Sequence, residues 1–258
     1  MILDDIVARR KVQLEREMSG TPLEKVMACA ADAPKTGSFK SAILCGGLSV
    51  IAEVKKASPS KGLICPDFKP VETAEAYERA GADAVSVLTE EFYFKGSPEY
   101  LKRIGRAVSV PVLCKDFVVS PYQIYAAKAL GAAAVLLIAA VLGREKLREY
   151  AGTARSIGLE CLMEAHNEKE LEEVLEAGGE IIGINNRDLK TFNVDLSVTK
   201  RLAVHIPPGK AIISESGIKT PADAAAARSY GADAVLVGET LMRSRNVTET
   251  MKHLRENL

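Results

Sequence analysis

Gly81-Ala-Asp-Ala-Val85 recurs as Gly231-Ala-Asp-Ala-Val235, and Gly131-Ala-Ala-Ala-Val135 is a looser copy between them. In each copy a helical pattern runs into the glycine and a Val/Leu-rich run leaves it. A glycine just past a helix adopts the left-handed C-cap conformation without steric cost, and a short unbroken apolar run fits a strand buried on both faces. The repeated unit is therefore helix, glycine, parallel strand.

Carried along the chain, this rule predicts strands over 50–55, 84–89, 111–115, 134–139, 160–164, 181–185, 211–214 and 234–238. Helices are predicted over 70–80, 99–107, 121–130, 144–157, 168–177, 196–204, 221–230 and 248–257. Ser120-Pro121 and Thr220-Pro221 set a capping hydroxyl before a proline, whose missing N–H costs nothing in a first helical turn. Eight alternating units predict a single closed (β/α)8 TIM barrel. An open doubly wound sheet would usually carry Gly-x-Gly-x-x-Gly after its first strand, and that turn is absent. Residues 1–48 are expected to form an N-terminal helical extension of two or three helices, with Leu3, Ile6, Val7 and Leu14 as an apolar stripe. Residues 49–258 form the barrel, and without a low-complexity linker 1–258 is expected to be one domain.

Of the 258 residues, 47% are hydrophobic and 26% charged, which excludes wholesale disorder and a disulfide miniprotein. Lys plus Arg and Asp plus Glu both total 34, so no global positive field invites nucleic acid or an anionic membrane. Any anion must be gathered locally. Cys29, Cys45, Cys65, Cys114 and Cys161 are odd in number and lack Cys-x-x-Cys spacing, so reduced thiols and a cytoplasmic location are expected. The first 18 residues lack a signal-peptide apolar core, and the longest apolar run, 132–142, falls short of the roughly 18 residues of a membrane span.

In such barrels the reacting groups stand at the C-terminal strand ends. Strand one ends Ile51-Ala-Glu-Val-Lys55, and a period of two aims Glu53 and Lys55 inward with Ile51. The same alternation aims Lys115 inward and Cys114 outward, and brings Glu164 to the rim. Single buried charges are commonly structural ion pairs, but a fold rarely needs four converging ones for stability alone. Glu160, nearer the start of its strand, is expected to be structural. Asn185 ends strand six facing inward and could orient a substrate without titrating. Asn186, Arg187 and Asp188 also suit an ordinary turn.

Strand seven leads into Ser214-Glu-Ser-Gly-Ile218 and strand eight into Gly238-Glu-Thr-Leu-Met242. Backbone N–H groups at these exits, with a short extra helix, form a recurrent phosphate cradle. The loop Lys56-Ala-Ser-Pro-Ser-Lys-Gly62 adds hydroxyls and lysines beside the same mouth. His166, His205 and His253 are isolated, so no metal is expected; His166 reads as a solvated rim residue. Neither a P-loop nor a Gly-x-Ser-x-Gly elbow is present.

Ile51-Ala-Glu-Val-Lys-Lys-Ala-Ser-Pro-Ser60, Leu88-Thr-Glu90, Lys115-Asp-Phe117, Met163-Glu164, Ile184-Asn-Asn-Arg-Asp-Leu189 and Ser214-Glu-Ser-Gly-Ile218, in this order, resemble indole-3-glycerol-phosphate synthases. The N-terminal Met1-Ile-Leu-Asp-Asp-Ile-Val7 resembles that family's extra helix. The resemblance implies closure of the indole ring of 1-(2-carboxyphenylamino)-1-deoxyribulose 5-phosphate, with release of carbon dioxide and water. It implies no cofactor, no metal and a monomer whose one partner is this phosphosugar-anthranilate substrate. It assigns Lys115 as the general acid at the ketone, Glu164 to the dehydration as base or charge stabiliser, and Lys55 as an acid for the leaving hydroxyl. Glu53 and Asn185 would orient the substrate. Ser58, Arg187, Ser216, Gly217, Gly238 and the backbone of Glu239 would hold phosphate, although Glu239 stands where some relatives have serine. Phe117, Leu136 and Ile213 would contact the anthranilate ring. Neighbouring cations would lower the Lys115 pKa and neighbouring carboxylates raise it; sequence leaves that balance open. The rivals are a phosphoribosylanthranilate isomerase-like enzyme, a Schiff-base aldolase using Lys55 or Lys115, and a non-catalytic phosphate-ligand sensor.

Overall fold

The computed structural model describes residues 2–189 and 191–256. Eight parallel strands close on themselves: β1 (Ser49–Val54), β2 (Ala84–Leu88), β3 (Val112–Lys115), β4 (Ala134–Ile138), β5 (Glu160–Ala165), β6 (Ile181–Asn185), β7 (Ala211–Glu215) and β8 (Ala234–Val237). Each pairs with its sequence neighbours, and β8 returns to β1 through Ile51 opposite Leu236. Three helices precede the barrel, α1 (Ile2–Gly20), α2 (Leu23–Ala31) and α3 (Phe39–Ile43). Those that follow are α4 (Pro70–Arg79), α5 (Pro98–Ala107), α6 (Pro121–Ala129), α7 (Ala139–Ser156), α8 (Glu168–Glu176), α9 (Ser197–Ala203), α10 (Pro221–Ser229), α11 (Glu239–Met242) and α12 (Val247–Leu254). Among the described residues no helix is long and apolar enough to cross a membrane.

The repeated glycines have the conformation their position demands, with φ of 87° at Gly81, 91° at Gly131 and 97° at Gly231. The aspartates of the two close copies do further work. Asp83 Oδ2 accepts the Val50 N–H at 2.7 Å, and Asp233 Oδ2 accepts that of Ile212 at 2.8 Å. Each ties its loop to the start of the adjacent strand. Ser120 and Thr220 cap α6 and α10 as their sequence predicts.

Most departures from the predicted boundaries fall at element ends. β1 stops at Val54, one residue before Lys55, and β4 yields to helix at Ala139. Gly143, at φ 67° and ψ 172°, interrupts α7, so the helix expected from 144 is its second piece. β7 runs one residue beyond its expected end, to Glu215. The loop after β1 contains a small antiparallel hairpin, Ala57–Ser58 against Gly62–Leu63. The last helix was expected to reach Asn257, which lies outside the described residues.

Alternation decides what lies inside the barrel. Ile51, Leu113, Leu136, Leu162, Ile213 and Leu236 pack within it, whereas Val85, Cys114, Leu137 and Met163 pack outward against the helices. At the bottom Glu160 accepts hydrogen bonds from Ser38 Oγ and the Lys40 backbone, both at 2.8 Å. It fastens the extension there, the structural role expected of it.

The face of α1 turned to the barrel is less apolar than its sequence suggests. Ile6 and Leu14 are buried, but so are Arg10 and Gln13. The Arg10 guanidinium meets Asp116 at 2.8 Å, and Gln13 donates to the Thr89 carbonyl at 3.2 Å while accepting from the Glu91 N–H at 3.1 Å. These bonds satisfy polar groups that burial would otherwise penalise, and they hold α1 across the ends of β2 and β3.

Candidate active site

A cavity of about 450 Å³ opens at the C-terminal ends of the strands, over an apolar floor that includes Leu136, Ile138 and Leu236. Glu53, Lys55, Lys115, Glu164, Asn185 and Glu215 stand on it. All but Lys55 lie on strands, a rigid platform for oriented groups.

The centre of the cluster is Lys115. Its Nζ donates to Glu164 Oε2 at 2.9 Å and to Glu215 Oε2 at 2.7 Å. The other oxygen of Glu164 accepts from Asn185 Nδ2 at 3.2 Å and lies 3.3 Å from His166 Nε2; His166 Nδ1 lies 2.9 Å from Glu170 Oε2. Positive and negative groups thus alternate from Glu170 through His166, Glu164 and Lys115 to Glu215. Across the floor, Glu53 and Lys55 pair at 2.5 Å.

This order settles the balance that sequence left open. Burial would strip the Lys115 proton, but Glu164 and Glu215 outweigh it and hold the pKa above the usual lysine range. Burial would likewise protonate Glu164, yet Lys115 and His166 keep its pKa well below the usual carboxylate range. Glu215 ends the line with one cation, which it shares with Glu164. Burial therefore prevails, and its pKa is pushed up to about 7. Placing a second carboxylate on one lysine makes it the group that carries a proton near neutrality.

Two glycines make room for these charges. A Cβ at Gly183 would fall on the Glu215 carboxylate and press on Leu162, and one at Gly238 would fall on the Glu53 carboxylate, 2.9 Å from Lys55 Nζ. Gly238 has an ordinary negative φ, so space and not turn geometry requires glycine there.

The β6, β7 and β8 exits form the polar end of the cavity. Ser216 and Gly217 both have positive φ, 67° and 94°, and a Cβ at Gly217 would lie 2.7 Å from Val194. Asn186 braces this turn. Its Nδ2 donates to Ser214 Oγ and to the Glu215 and Ser216 carbonyls at 2.9–3.1 Å, while Oδ1 accepts from the Thr199 hydroxyl at 2.8 Å. Asn186 is thus a buried amide joining two strand ends, and the ordinary-turn reading of it is corrected. Arg187 reaches the cavity, with Nη1 donating to the Phe192 carbonyl at 3.2 Å. Glu239 turns its carboxylate to Arg243 at 3.0 Å, 4.0 Å from Lys61.

One wall is aromatic. Buried Glu90 accepts the N–H groups of Phe92, Tyr93 and Phe94 at 2.7–2.9 Å, fixing a loop that sets the Phe94 ring 5.9 Å from that of Phe117. Phe94 and Phe117 line the cavity with Ile2, Leu3 and Ile6 of α1.

The structure brings Glu53, Lys55, Ser58, Lys115, Phe117, Leu136, Glu164, Asn185, Arg187, Ser216, Gly217, Gly238 and Glu239 to this one cavity. It does not bring Ile213, which is fully buried between Gly183 and Ala234, one level beneath the floor. The expected ring contact at Ile213 is corrected accordingly. His166 is not a solvated rim residue: its side chain is 11% exposed and enclosed by two carboxylates. Sequence reading missed Glu215 because it ended strand seven at Ser214. The signal was available, since Ile213 facing inward requires Glu215 to do so two residues later. Among the described residues no group of three or more His, Cys, Asp or Glu is arranged to hold a metal ion.

Known proteins share this chain's sequence and fold. The indole-3-glycerol phosphate synthase family model matches residues 3–254. The indole-3-glycerol phosphate synthase of Thermoanaerobacter pseudethanolicus is 49% identical over 243 residues, 94% of this chain and 93% of that protein. That of Alkaliphilus metalliredigens is 47% identical over 259 residues, 100% of this chain and 99% of that protein. Among solved structures, thiamine phosphate pyrophosphorylase from Pyrococcus furiosus superposes with a TM-score of 0.62 at 15% identity, covering 81% of this chain and 94% of that one; this likeness concerns the barrel alone. With the family model spanning nearly its whole length, this chain belongs to the indole-3-glycerol phosphate synthase family.

Proposed function

We propose that the chain closes the indole ring of 1-(2-carboxyphenylamino)-1-deoxyribulose 5-phosphate, releasing carbon dioxide and water, with no cofactor. The observation that carries this reading is a lysine held between two carboxylates, at 2.9 and 2.7 Å, in a cavity with an aromatic wall and a polar end. Such a cavity matches a substrate that is a benzoate at one end and a phosphate at the other.

In this reading Lys115 donates its proton to the ketone oxygen as the aromatic carbon attacks. The developing alkoxide is far more basic than an amine, so a lysine held charged by its carboxylates is a fully populated donor. Loss of the carboxylate then discharges the cationic intermediate. Glu164, kept anionic, takes part in the dehydration as base or charge stabiliser while Lys55 protonates the leaving hydroxyl. Glu53 and Asn185 orient the substrate. Glu215, with its pKa near 7, is placed to return a proton to Lys115. Ser58, Arg187, Ser216, Gly217, Gly238 and the Glu239 backbone receive the phosphate, with the Glu239 carboxylate turned toward Arg243. Phe117 and Leu136 contact the ring.

The Schiff-base alternative needs a neutral lysine, which the two carboxylates on Lys115 oppose. The same reading takes residues 1–258 as one domain acting as a monomer. It takes the cytoplasm as its location, consistent with five free thiols.

An assay of indole fluorescence with purified protein and this substrate tests the reading. Turnover without added metal is expected, with a loss of more than about a hundredfold in Glu164→Gln. No turnover by folded wild-type protein would reject it, and an imine trapped on Lys115 by borohydride would replace it with the aldolase.

A further inference from the structure

We infer that His166 is a positioning residue for the ring closure: clamped between Glu170 and Glu164, it is a fixed imidazolium that orients Glu164 and keeps it anionic while Lys115 gives up its proton. The inference rests on the role proposed for Glu164.

The clamp is built from both sides. His166 follows β5 directly, two residues beyond Glu164, on the same side of the chain as Glu164. Nε2 lies 3.3 Å from Glu164 Oε1 and Nδ1 lies 2.9 Å from Glu170 Oε2. Glu170 cannot swing away. Its Oε2 also accepts the His166 backbone N–H at 2.9 Å, and its Oε1 accepts Asn167 Nδ2 at 2.6 Å. Asn167 in turn caps α8 by accepting the Glu170 N–H at 3.0 Å. The first turn of α8 is thus a socket for one imidazole edge, with the other edge on Glu164.

A neutral imidazole carries one N–H, so its second nitrogen would point a lone pair at a carboxylate. Nε2 has no hydrogen-bond partner among the described residues, so its tie to Glu164 is an ion pair, which only the protonated ring makes. Burial opposes that charge, but Glu164 and Glu170 outweigh it and bring the pKa to about 10. The charged groups along this line are Glu164 on β5, Glu170 on α8 and, beyond Glu164, Lys115 on β3 and Glu215 on β7.

The consequence appears when Lys115 acts. Glu164 Oε2 faces Lys115 and Oε1 faces Asn185 and His166. Once the Lys115 proton has moved to substrate, Glu164 loses one of its two cations at the point where it must remain an anion. His166 takes no part in that transfer and keeps its charge. Capping of α8 needs only Asn167 and Glu170, so a helix terminus does not account for the imidazole.

Ring NMR of the intact enzyme combined with pH profiles of His166→Gln and Glu170→Gln tests the inference. The wild-type ring is expected to stay protonated through neutrality and to titrate at least about two units above the ordinary histidine value. In both variants kcat should fall about tenfold or more with KM within about twofold, and the acid limb of kcat/KM should move up by about one pH unit. A ring that titrates near 6.5, or variants with the wild-type limb, would overturn the inference. If His166→Gln does not fold, the wild-type titration and Glu170→Gln decide. The ring titration needs no turnover, so an inactive wild type would reject the proposed function while leaving the charge on His166 separately measurable.

Discussion

Gly183 has no side chain because Glu215 occupies its place: a Cβ built there falls on the Glu215 carboxylate. The two residues lie on adjacent paired strands, two positions out of register, with Gly183 opposite Ile213 and Asn185 opposite Glu215. A missing methyl on β6 thereby lets a carboxylate from β7 reach across the barrel to Lys115 on β3.

Gly183→Ala should accordingly behave as an active-site mutation although the position bears no functional group. Its methyl would press on Leu162 as well as Glu215, overpacking that usually costs about 1–3 kcal/mol. We expect that loss in urea denaturation, together with a fall in kcat of about tenfold or more. An alanine variant with wild-type kcat would show that Glu215 need not hold its place on Lys115.

Lys115→Met removes the one cation shared by Glu164 and Glu215. Turnover should drop by well over a hundredfold, on the order of a general-acid contribution. Glu215 is then left without a cation beside Glu164, which keeps only His166, and breaking a buried pair costs about 3–5 kcal/mol. The deficit should be larger at pH 8 than at pH 5, where one carboxylate takes up a proton. Denaturation at both pH values measures it, and equal deficits would contradict the coupling.

Arg187 sits at the polar end, with its backbone N–H on Asn185 Oδ1 at 3.0 Å and its guanidinium lining the cavity. If it holds phosphate equally in ground and transition states, Arg187→Ala should raise KM and leave kcat nearly unchanged. A selective fall in kcat would place the guanidinium in the chemistry instead.

The barrel was legible because its signals are local. Gly81, Gly131 and Gly231 mark helix ends by backbone conformation, and strand alternation aimed Glu53, Lys115 and Glu164 at one cavity. What stayed hidden depends on distance across the fold or on one residue of strand length. Glu215 needed β7 to run one residue further, and Ile213 had the right parity but the wrong height. His166 looked solvated because Glu170, which encloses it, belongs to the next helix. The Arg10–Asp116 pair joins residues 106 apart in sequence, and neither predicts the other.

Glu215 gives the pH dependence of stability a sign that can be isolated. Its pKa rises from the ordinary 4.5 to about 7 in the folded protein, so between these values the native state holds a proton that the unfolded chain has released. Its stabilising contribution is full below 4.5 and is lost as pH rises through 7. The paired carboxylates Glu164 and Glu170 are shifted down and act below 4.5, whereas His166 is shifted up from 6.5 to about 10 and acts above 6.5. Between pH 4.5 and 6.5, Glu215 is therefore the one member of the Glu170-to-Glu215 line whose contribution changes. Glu17, outside that line and also raised, is common to both proteins compared and cancels in their difference. Urea denaturation from pH 4.5 to 6.5 should show wild type losing stability relative to Glu215→Gln, whose amide cannot ionise. Parallel pH curves for the two proteins would mean that Glu215 is already ionised at pH 4.5, and that the lysine supports two carboxylate anions at once.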